Sequence, residues 1–151
     1  MIIREAGIDD MQGVLLLIQA LADYEKASDE VENTVEKLQE DGFGKNKLFE
    51  CIVAEDATEI VGMALYYPRY STWKGKTIYL EDLIVKEESR RNGVGGKLFE
   101  ALAKECKLQG VKRMEWQVLD WNESAIEFYK KYNAGFDSEW INCRLTKEQL
   151  V

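Results

Sequence analysis

Residues 77–97 read TIYLEDLIVKEESRRNGVGGK, and this stretch decides the fold. Its first nine residues are rich in β-branched, aromatic and aliphatic side chains, which predicts a long strand. After a charged loop, glycines at positions 93, 95 and 96 open a helix from about Val94 to Gln109, which Gly110 ends. The first N–H groups of such a helix lack helical acceptors and attract anions. A phosphate-bearing ligand is therefore expected at this turn.

The rest of the chain extends this pattern into one α/β domain over residues 1–151. Upstream, MIIREA predicts a strand and residues 9–23 an amphipathic helix. A second helix is predicted at residues 34–41, with Asn33 or Thr34 as its N-cap and Gly42 at its end. FECIVAE and IVGMALYYPRY predict strands joined by a tight turn from Asp56 to Glu59. Downstream, RMEWQVL predicts a strand, NESAIEFYKKY a helix capped by Asn122, and SEWINCRL a closing strand. The order β-α-α-β-β-β-α-β-α-β gives a mixed, mainly antiparallel sheet flanked by helices.

Composition removes several classes of function. The chain has no histidine, which excludes Ser-His-Asp and Cys-His catalysis and histidine-ligated zinc. Its net charge of −8 disfavours nucleic acid and suits a cationic partner, although solubility alone also explains it. The apolar runs are too short for a membrane span, and no secretory signal is apparent. Three cysteines without a C-x-x-C pair indicate reduced thiols and a cytoplasmic protein.

The glycine-rich loop fails the tests for two familiar phosphate-binding motifs. A dinucleotide fingerprint needs a third glycine where Leu98 stands, and a Walker loop needs glycine at the position of Arg91. The loop instead has the pattern R-x-x-G-x-G, from Arg90 to Gly95, directly after the long strand. Its basic residues and successive backbone amides suit a pyrophosphate.

This loop resembles the coenzyme A loop of the GNAT superfamily of N-acetyltransferases. LADYEK at 21–26, EDGFG at 40–44, YYPRYSTWKGK at 66–76, YLEDLIV at 79–85 and DWNESAIEFYKKYNA at 120–134 resemble the diamine (spermidine/spermine) and thialysine acetyltransferase branch. The resemblance implies a splayed sheet with coenzyme A between the fourth and fifth strands. It also implies acetyl-CoA as cosubstrate, no metal, a small cationic amine as acceptor, and a homodimer.

The resemblance assigns residues to the coenzyme on two sides of this gap. Pantetheine contacts fall on the backbone of the long strand, and the pyrophosphate falls on the glycine loop. Further contacts fall on the start of the helix near 123. The assigned positions are Leu83, Ile84, Val85, Arg90, Arg91, Asn92, Gly93, Val94, Gly95, Gly96, Asn122, Glu123, Ser124 and Ala125. Ser124 departs from the family pattern, which often has proline there.

The resemblance also assigns substrate-facing and catalytic positions. The substrate-facing positions are Tyr24, Glu25, Glu81, Asp82, Glu115, Trp116 and Gln117. The acidic cluster of Glu25, Glu81 and Asp82 is expected to be lined by Tyr24 and Trp73. Tyr129 is placed near the coenzyme sulfur. A cationic substrate would be bound there by charge pairing and cation–π contact, although a solvated acidic rim has the same composition.

Acetyl transfer to an amine requires two proton transfers, and the residue types suggest a group for each. An amine with a pKa near 10 is protonated at pH 7, so a base must first remove its proton. Glu81 is the candidate base, directly or through water. Regular alternation places Glu81 and Leu83 on one face and Asp82 on the other, unless a bulge intervenes. Tyr129 is the candidate acid for the leaving thiolate. A salt-bridge role for Glu81 and a core role for Tyr129 are the structural alternatives.

The cysteines favour direct attack over an acetyl-enzyme. Cys51 and Cys143 are expected inside strands and Cys106 inside a helix, so all three are expected to be buried apolar thiols. Two other functions remain open at this point. One is a non-catalytic acyl-CoA-binding module, and the other is a protein-lysine acetyltransferase of the same fold.

Overall fold

A computed structural model describes residues 1–150 and contains two compact units. Met1–Gln117 forms the first, and the described part of the second begins at Val118. The first unit contains strands β1 (Ile2–Glu5), β2 (Glu50–Asp56), β3 (Glu59–Ser71), β4 (Gly75–Val85) and β5 (Met114–Glu115). Its helices are α1 (Met11–Tyr24), α2 (Val35–Phe43) and α3 (Val94–Leu108). The second unit contains α4 (Glu123–Lys130).

The sheet of the first unit has the order β1-β2-β3-β4-β5. The first four strands pair antiparallel, and β5 joins β4 in parallel. The tight turn between β2 and β3 is confirmed, because Asp56 pairs with Glu59. The two residues between them, Ala57 and Thr58, have φ values of 45° and 72°, the positive values that a two-residue hairpin turn demands. The predicted fold class is therefore confirmed: a mixed, mainly antiparallel sheet with flanking helices.

The sheet is covered on both faces. On one face α1 buries Met11, Val14 and Leu17 against Met63 and Leu65 of β3. On the other face α3 packs along β2, β3 and β4 and buries Leu98, Phe99 and Leu102 among its core residues. These two layers fix the central strands, and the ends of β4 carry the side chains considered below.

The predicted capping residues are confirmed at the helix starts, whereas the expected end of α2 at Gly42 is wrong, because the helix continues through Gly42 to Phe43. Thr34 caps α2, since its Oγ1 accepts a hydrogen bond from the N–H of Lys37 at 3.1 Å. Asn122 caps α4 in the same way, accepting from the N–H of Ala125 at 3.2 Å. Gly110 follows α3 with a φ of 67°, the left-handed conformation that glycine adopts without strain.

The predicted strand at SEWINCRL is wrong, because residues 138–145 lie in no helix or strand. Successive side chains there do not alternate between a buried and an exposed face: Trp140 is 78% exposed and its neighbour Ile141 is 87% exposed. A strand gains its stability from cross-strand pairs and a buried face, and this segment buries neither side. The strand predicted at RMEWQVL is present but shorter than expected, and covers only Met114–Glu115.

Among residues 1–150, the helices lack the combination of length and apolar character that crossing a membrane requires.

Two neighbouring leucines of α1 test the packing of this layer. Leu17 is 1% exposed and Leu16 is 58% exposed. We expect Leu17→Ala to lower the free energy of unfolding by about 2–5 kcal/mol, since it removes buried methyl groups and leaves a cavity. Leu16→Ala on the same helix should change it by less than about 0.5 kcal/mol. Urea denaturation measures both, and equal losses would contradict the assigned orientation of α1.

Candidate active site

A β-bulge sets the positions of the acidic residues on β4. Leu65 of β3 pairs with Asp82, but the next residue, Tyr66, pairs with Leu80. Glu81 is therefore an extra residue without a Cα partner on β3. Such a bulge interrupts the alternation of side chains and re-aims those around it.

The bulge brings two carboxylates to the same face of the sheet. Asp82 shares the face of its partner Leu65, which is the α1 face, and Glu81 reaches the Tyr67 side chain two residues along the same face. Leu83 comes next after Asp82 and points to the opposite face. The expectation that Glu81 shares a face with Leu83, away from Asp82, is therefore wrong. The physical reason is the extra residue in the ladder.

Tyr67 holds the Glu81 carboxylate. Its Oη donates a hydrogen bond to Glu81 Oε2 at 2.7 Å. The Tyr67 ring lies 5.6 Å from the ring of Tyr79, its partner on β4, and packs against the core beneath α1. Burial, followed by the hydrogen bond to Glu81, holds the pKa of Tyr67 well above its usual range. The phenol therefore remains a donor at neutral pH.

Asp82 and Glu25 line a recess between the end of α1 and β4. Ile18, Leu21, Ala22 and Ala27 form its apolar wall. Burial raises the pKa of Asp82 to about 6, and the charges of Glu81 and Glu25 add to the shift. Burial also raises the pKa of Glu25. Two desolvated carboxylates facing one recess favour a cation between them, because a cation removes the cost of holding both charges.

Tyr24 links this recess to the loop after β4. The guanidinium of Arg90 lies 5.7 Å from the centre of the Tyr24 ring, within cation–π range. Arg90 Nε also donates to the carbonyl oxygen of Val85 at 3.0 Å. These contacts join the end of α1 to the end of β4. Trp73, in contrast, lies at the tip of the β3–β4 hairpin. Gly75, at the start of β4, is seven residues from Asp82, which at about 3.3 Å per residue is about 23 Å. Trp73 lies in the turn beyond Gly75 and is therefore far from the recess.

Among residues 1–117, one edge of β4 is unpaired beyond its short pairing with β5. Within residues 1–117, β5 pairs only with Ile78 and Tyr79. The Lys86 N–H bonds to β3 at Val61, and the carbonyl of Ile84 also points at β3, close to Gly62. In an antiparallel ladder the backbone groups of alternate residues point to opposite edges. Leu83 and Val85 therefore present backbone groups to the open edge, whereas those of Ile84 belong to the ladder with β3.

The glycine loop leads into an uncapped helix end. Gly93 precedes α3 with a φ of 74° and has no side chain to cap the helix. Lys97 N–H is bonded to the Gly93 carbonyl. The N–H groups of the three residues before Lys97, Val94, Gly95 and Gly96, have no helical acceptor. Arg91 in the loop also has a positive φ, of 67°. Asn92 lies between these two left-handed residues, so the loop turns sharply and leaves its amides available to an anion.

The three predicted substrate-facing residues near β5 differ in their contacts. Glu115 forms ion pairs with Arg113, at 2.6 Å, and with Arg69, at 3.4 Å. Trp116 packs edge to face on Phe99 of α3, with ring centres 5.4 Å apart. That contact places Trp116 on the α3 face of the sheet, so the structure does not bring it to the carboxylates on the α1 face. Gln117 ends the first unit.

The second unit places its predicted residues on α4. Asn122 caps the helix, and Glu123, Ser124 and Ala125 form its first turn. Tyr129 is 8% exposed, and its ring packs edge to face on Phe128 at 5.3 Å. Tyr129 is therefore a buried residue of α4.

Comparison with known proteins identifies the family. The acetyltransferase (GNAT) family matches residues 16–136. The chain belongs to the GNAT family. It is 43% identical over 140 residues to the thialysine N-epsilon-acetyltransferase of Bos taurus, covering 87% of this chain and 82% of the relative. It is 33% identical over 159 residues to spermidine/spermine N(1)-acetyltransferase-like protein 1 of Homo sapiens, covering 99% of this chain and 23% of the relative.

A solved structure agrees with the fold. A mutant protein from Bacillus halodurans superposes with a TM-score of 0.79 at 24% identity, covering 97% of this chain and 100% of that chain. Together the relatives confirm the resemblance to the GNAT superfamily and its thialysine and polyamine branch. The chain is a GNAT-type acetyltransferase.

The cysteines of this acetyltransferase differ in exposure. Cys51 and Cys106 are buried, and burial raises the pKa of both thiols. Cys143 is exposed and lies outside any strand, so the expectation that it is a buried strand residue is wrong. Burial makes Cys51 and Cys106 poor nucleophiles at neutral pH.

Sequence reasoning did not single out Tyr67. The register of the hairpin carried a usable signal, since counting back from the turn at residues 72–74 pairs Tyr67 with Tyr79. The hydrogen bond from Tyr67 to Glu81 could not be predicted from the sequence, because it depends on the bulge in β4.

The raised pKa of Asp82 predicts a measurable pH dependence of stability. The pKa of Asp82 is about 6 in the folded state, whereas the pKa of an aspartate in an unfolded chain is about 3.9. The folded protein therefore binds more protons between these pH values, and its free energy of unfolding falls as pH rises through this window. Asp82→Asn removes this loss. At about 1.4 kcal/mol per pKa unit, the stability of the variant relative to wild type should rise by up to about 3 kcal/mol between pH 4 and pH 7.

Denaturant unfolding of both proteins at pH 4 and pH 7 measures this difference. The comparison between the two pH values cancels any pH-independent effect of the amide. A relative stability that is the same at both pH values would contradict the raised pKa of Asp82 in the folded state.

Proposed function

We propose that the protein is an acetyl-CoA-dependent N-acetyltransferase of one domain that acts on a primary amine of a small cationic substrate. The acceptor class is a polyamine or a thialysine-like amino acid. The observation that carries this proposal is the acidic face of the sheet. Glu25 and Asp82 share a recess there, and Glu81 lies beside them on the bulge of β4.

The residues present fit the coenzyme. The open edge of β4 at Leu83 and Val85 offers backbone groups to the amides of a pantetheine arm. The start of α3, with Gly93 as its first flanking residue, offers amides to a pyrophosphate. Bound acetyl-CoA supplies the acetyl group as a thioester. Residues 122–125 are proposed as further coenzyme contacts on the resemblance to the family.

The recess fits an ammonium group with an aliphatic chain. Glu25 and Asp82 supply negative charge, and Ile18 and Leu21 supply apolar wall for methylene groups. A cation bound there offsets the repulsion between the two carboxylates. The excess of acids over bases, a net charge of −8, favours small cations and disfavours nucleic acid.

Glu81 is the proposed general base. It lies at the exposed side of the bulge, where its carboxylate can accept a proton from the ammonium form of the substrate, directly or through water. The deprotonated nitrogen then attacks the thioester carbonyl directly, in a ternary complex. The buried state of Cys51 and Cys106 supports direct attack over an acetyl-enzyme.

Tyr129 is the proposed general acid, and its phenol Oη is the atom that gives a proton to the departing thiolate. This role rests on the resemblance to the family and on the position of Tyr129 in α4. A homodimer in the cytoplasm, without nucleic acid or membrane as partner, is proposed on the same resemblance and on composition.

A screen of amines tests this function. Spermidine, spermine, putrescine, thialysine and lysine are each incubated with acetyl-CoA, and thiol release is followed. We expect turnover with at least one of them. Coenzyme A binding without turnover on any of the five would indicate a binding module instead. Turnover only on lysines within a protein would indicate a protein-lysine acetyltransferase.

Two glycines at opposite ends of α3 test the coenzyme loop. Gly93 and Gly110 have φ values of 74° and 67°, and an added Cβ meets nothing within 4 Å at either position. Alanine therefore introduces a similar backbone strain, about 1–2 kcal/mol, at each end. Gly93→Ala should weaken coenzyme A binding about tenfold or more, because the loop must keep its amides aligned on phosphate.

Gly110→Ala is the matched control and should leave coenzyme A affinity within about twofold, with a similar loss of stability. Isothermal titration calorimetry measures both affinities. Unchanged affinity in a folded Gly93→Ala protein would refute the assignment of the pyrophosphate to this loop.

A further inference from the structure

The bulge leaves Glu81 without the support that other residues of β4 receive. Asp82 and Leu80 each face a Cα partner on β3, whereas Glu81 faces none. Its side chain is exposed and lies beside the carboxyl of Asp82, whose pKa its charge raises. A mobile carboxylate next to a like charge tends to turn away toward solvent. A base that must meet one proton needs a fixed position.

Tyr67 supplies that fixed position. Its ring is partly buried, packs against the core beneath α1 and lies against Tyr79. The hydroxyl at the end of this anchored ring donates to Glu81 Oε2 at 2.7 Å, within the range of strong hydrogen bonds to a charged acceptor. Because the ring is already held by packing, little side-chain entropy is lost in making the bond.

We propose that Tyr67 is a positioning residue for acetyl transfer: by bonding Oε2 it orients the Glu81 carboxylate so that Oε1 accepts the proton of the amine. This inference rests on the proposed role of Glu81 as general base. Tyr67 cannot itself be the general base, because its phenol remains protonated at neutral pH. Burial and the bond to Glu81 both hold its pKa well above the usual range.

The chain offers a matched control in Tyr79. Tyr79 lies on the same face, stacks on the same ring and carries the same hydroxyl, but the bond to Glu81 comes from Tyr67. Tyr67→Phe and Tyr79→Phe each delete one hydroxyl and keep the ring. Steady-state kinetics with an accepted amine, at saturating acetyl-CoA, then separates kcat from the KM of the amine.

We expect Tyr67→Phe to lower kcat about tenfold and to change the KM of the amine by less than about twofold, because a misplaced base slows proton transfer without removing the acidic recess. Tyr79→Phe should leave both within about twofold. Equal losses of kcat in the two variants would overturn the proposal, since a general disturbance of the aromatic pair would then explain them.

A double-mutant cycle with Glu81→Gln completes the test. If Tyr67 acts through Glu81, Tyr67→Phe should lower kcat by less than about twofold when Glu81→Gln is already present. A full tenfold loss in that background would show that Tyr67 acts independently, and the proposal fails. Intact turnover in Tyr67→Phe with low turnover in Glu81→Gln overturns the role of Tyr67 alone. Intact turnover in Glu81→Gln overturns the general base and the positioning role together.

Discussion

One extra residue in the pairing of β3 with β4 determines where the acidic groups of this acetyltransferase lie. A regular ladder would send Glu81 and Asp82 to opposite faces of the sheet. Because Glu81 has no partner on β3, both carboxylates lie on the face that α1 covers. Glu25 follows the end of α1 there, and the Tyr67 hydroxyl donates a hydrogen bond to Glu81. The core layers on the two sides keep β3 and β4 in register around this bulge. The acidic recess, the proposed base and its hydrogen-bond donor thus all depend on one irregularity of the backbone.

In the proposed function, the backbone of the same strand binds the other substrate, acetyl-CoA. Within residues 1–117, β4 has no pairing with β5 past Tyr79, so the backbone groups of Leu83 and Val85 face an unpaired edge, and the chain then turns through Arg90 and Gly93 into α3. Acid side chains on the α1 face and backbone groups on the edge are therefore only one or two residues apart. In the proposed function, the amine on the carboxylates and the thioester along the backbone meet there because one strand carries both sets of groups.

Much of this fold was predictable because its signals are local. Apolar spacing in α1, the Thr34 and Asn122 caps and Gly110 after α3 each depend on a few neighbouring residues. The glycine loop and the acidic residues of β4 were equally visible in the sequence. The facing of Glu81 was not, because a bulge arises from pairing with a distant strand. Local patterns also do not reveal packing partners. They therefore could not show that Trp116 packs on the α3 face of the sheet, or that residues 138–145 form no strand.

The pH dependence of the Glu81→Gln variant tests the central role of this acidic face most directly. Turnover of wild type and variant is measured with one accepted amine from pH 7 to pH 10, at saturating acetyl-CoA. If Glu81 removes the ammonium proton, the variant should be about 10²-fold slower at pH 7. The deficit should shrink steadily as the pH approaches the amine pKa near 10, where free amine arrives already deprotonated. A deficit of the same size at every pH would contradict proton removal by Glu81 and would leave it a role in binding alone.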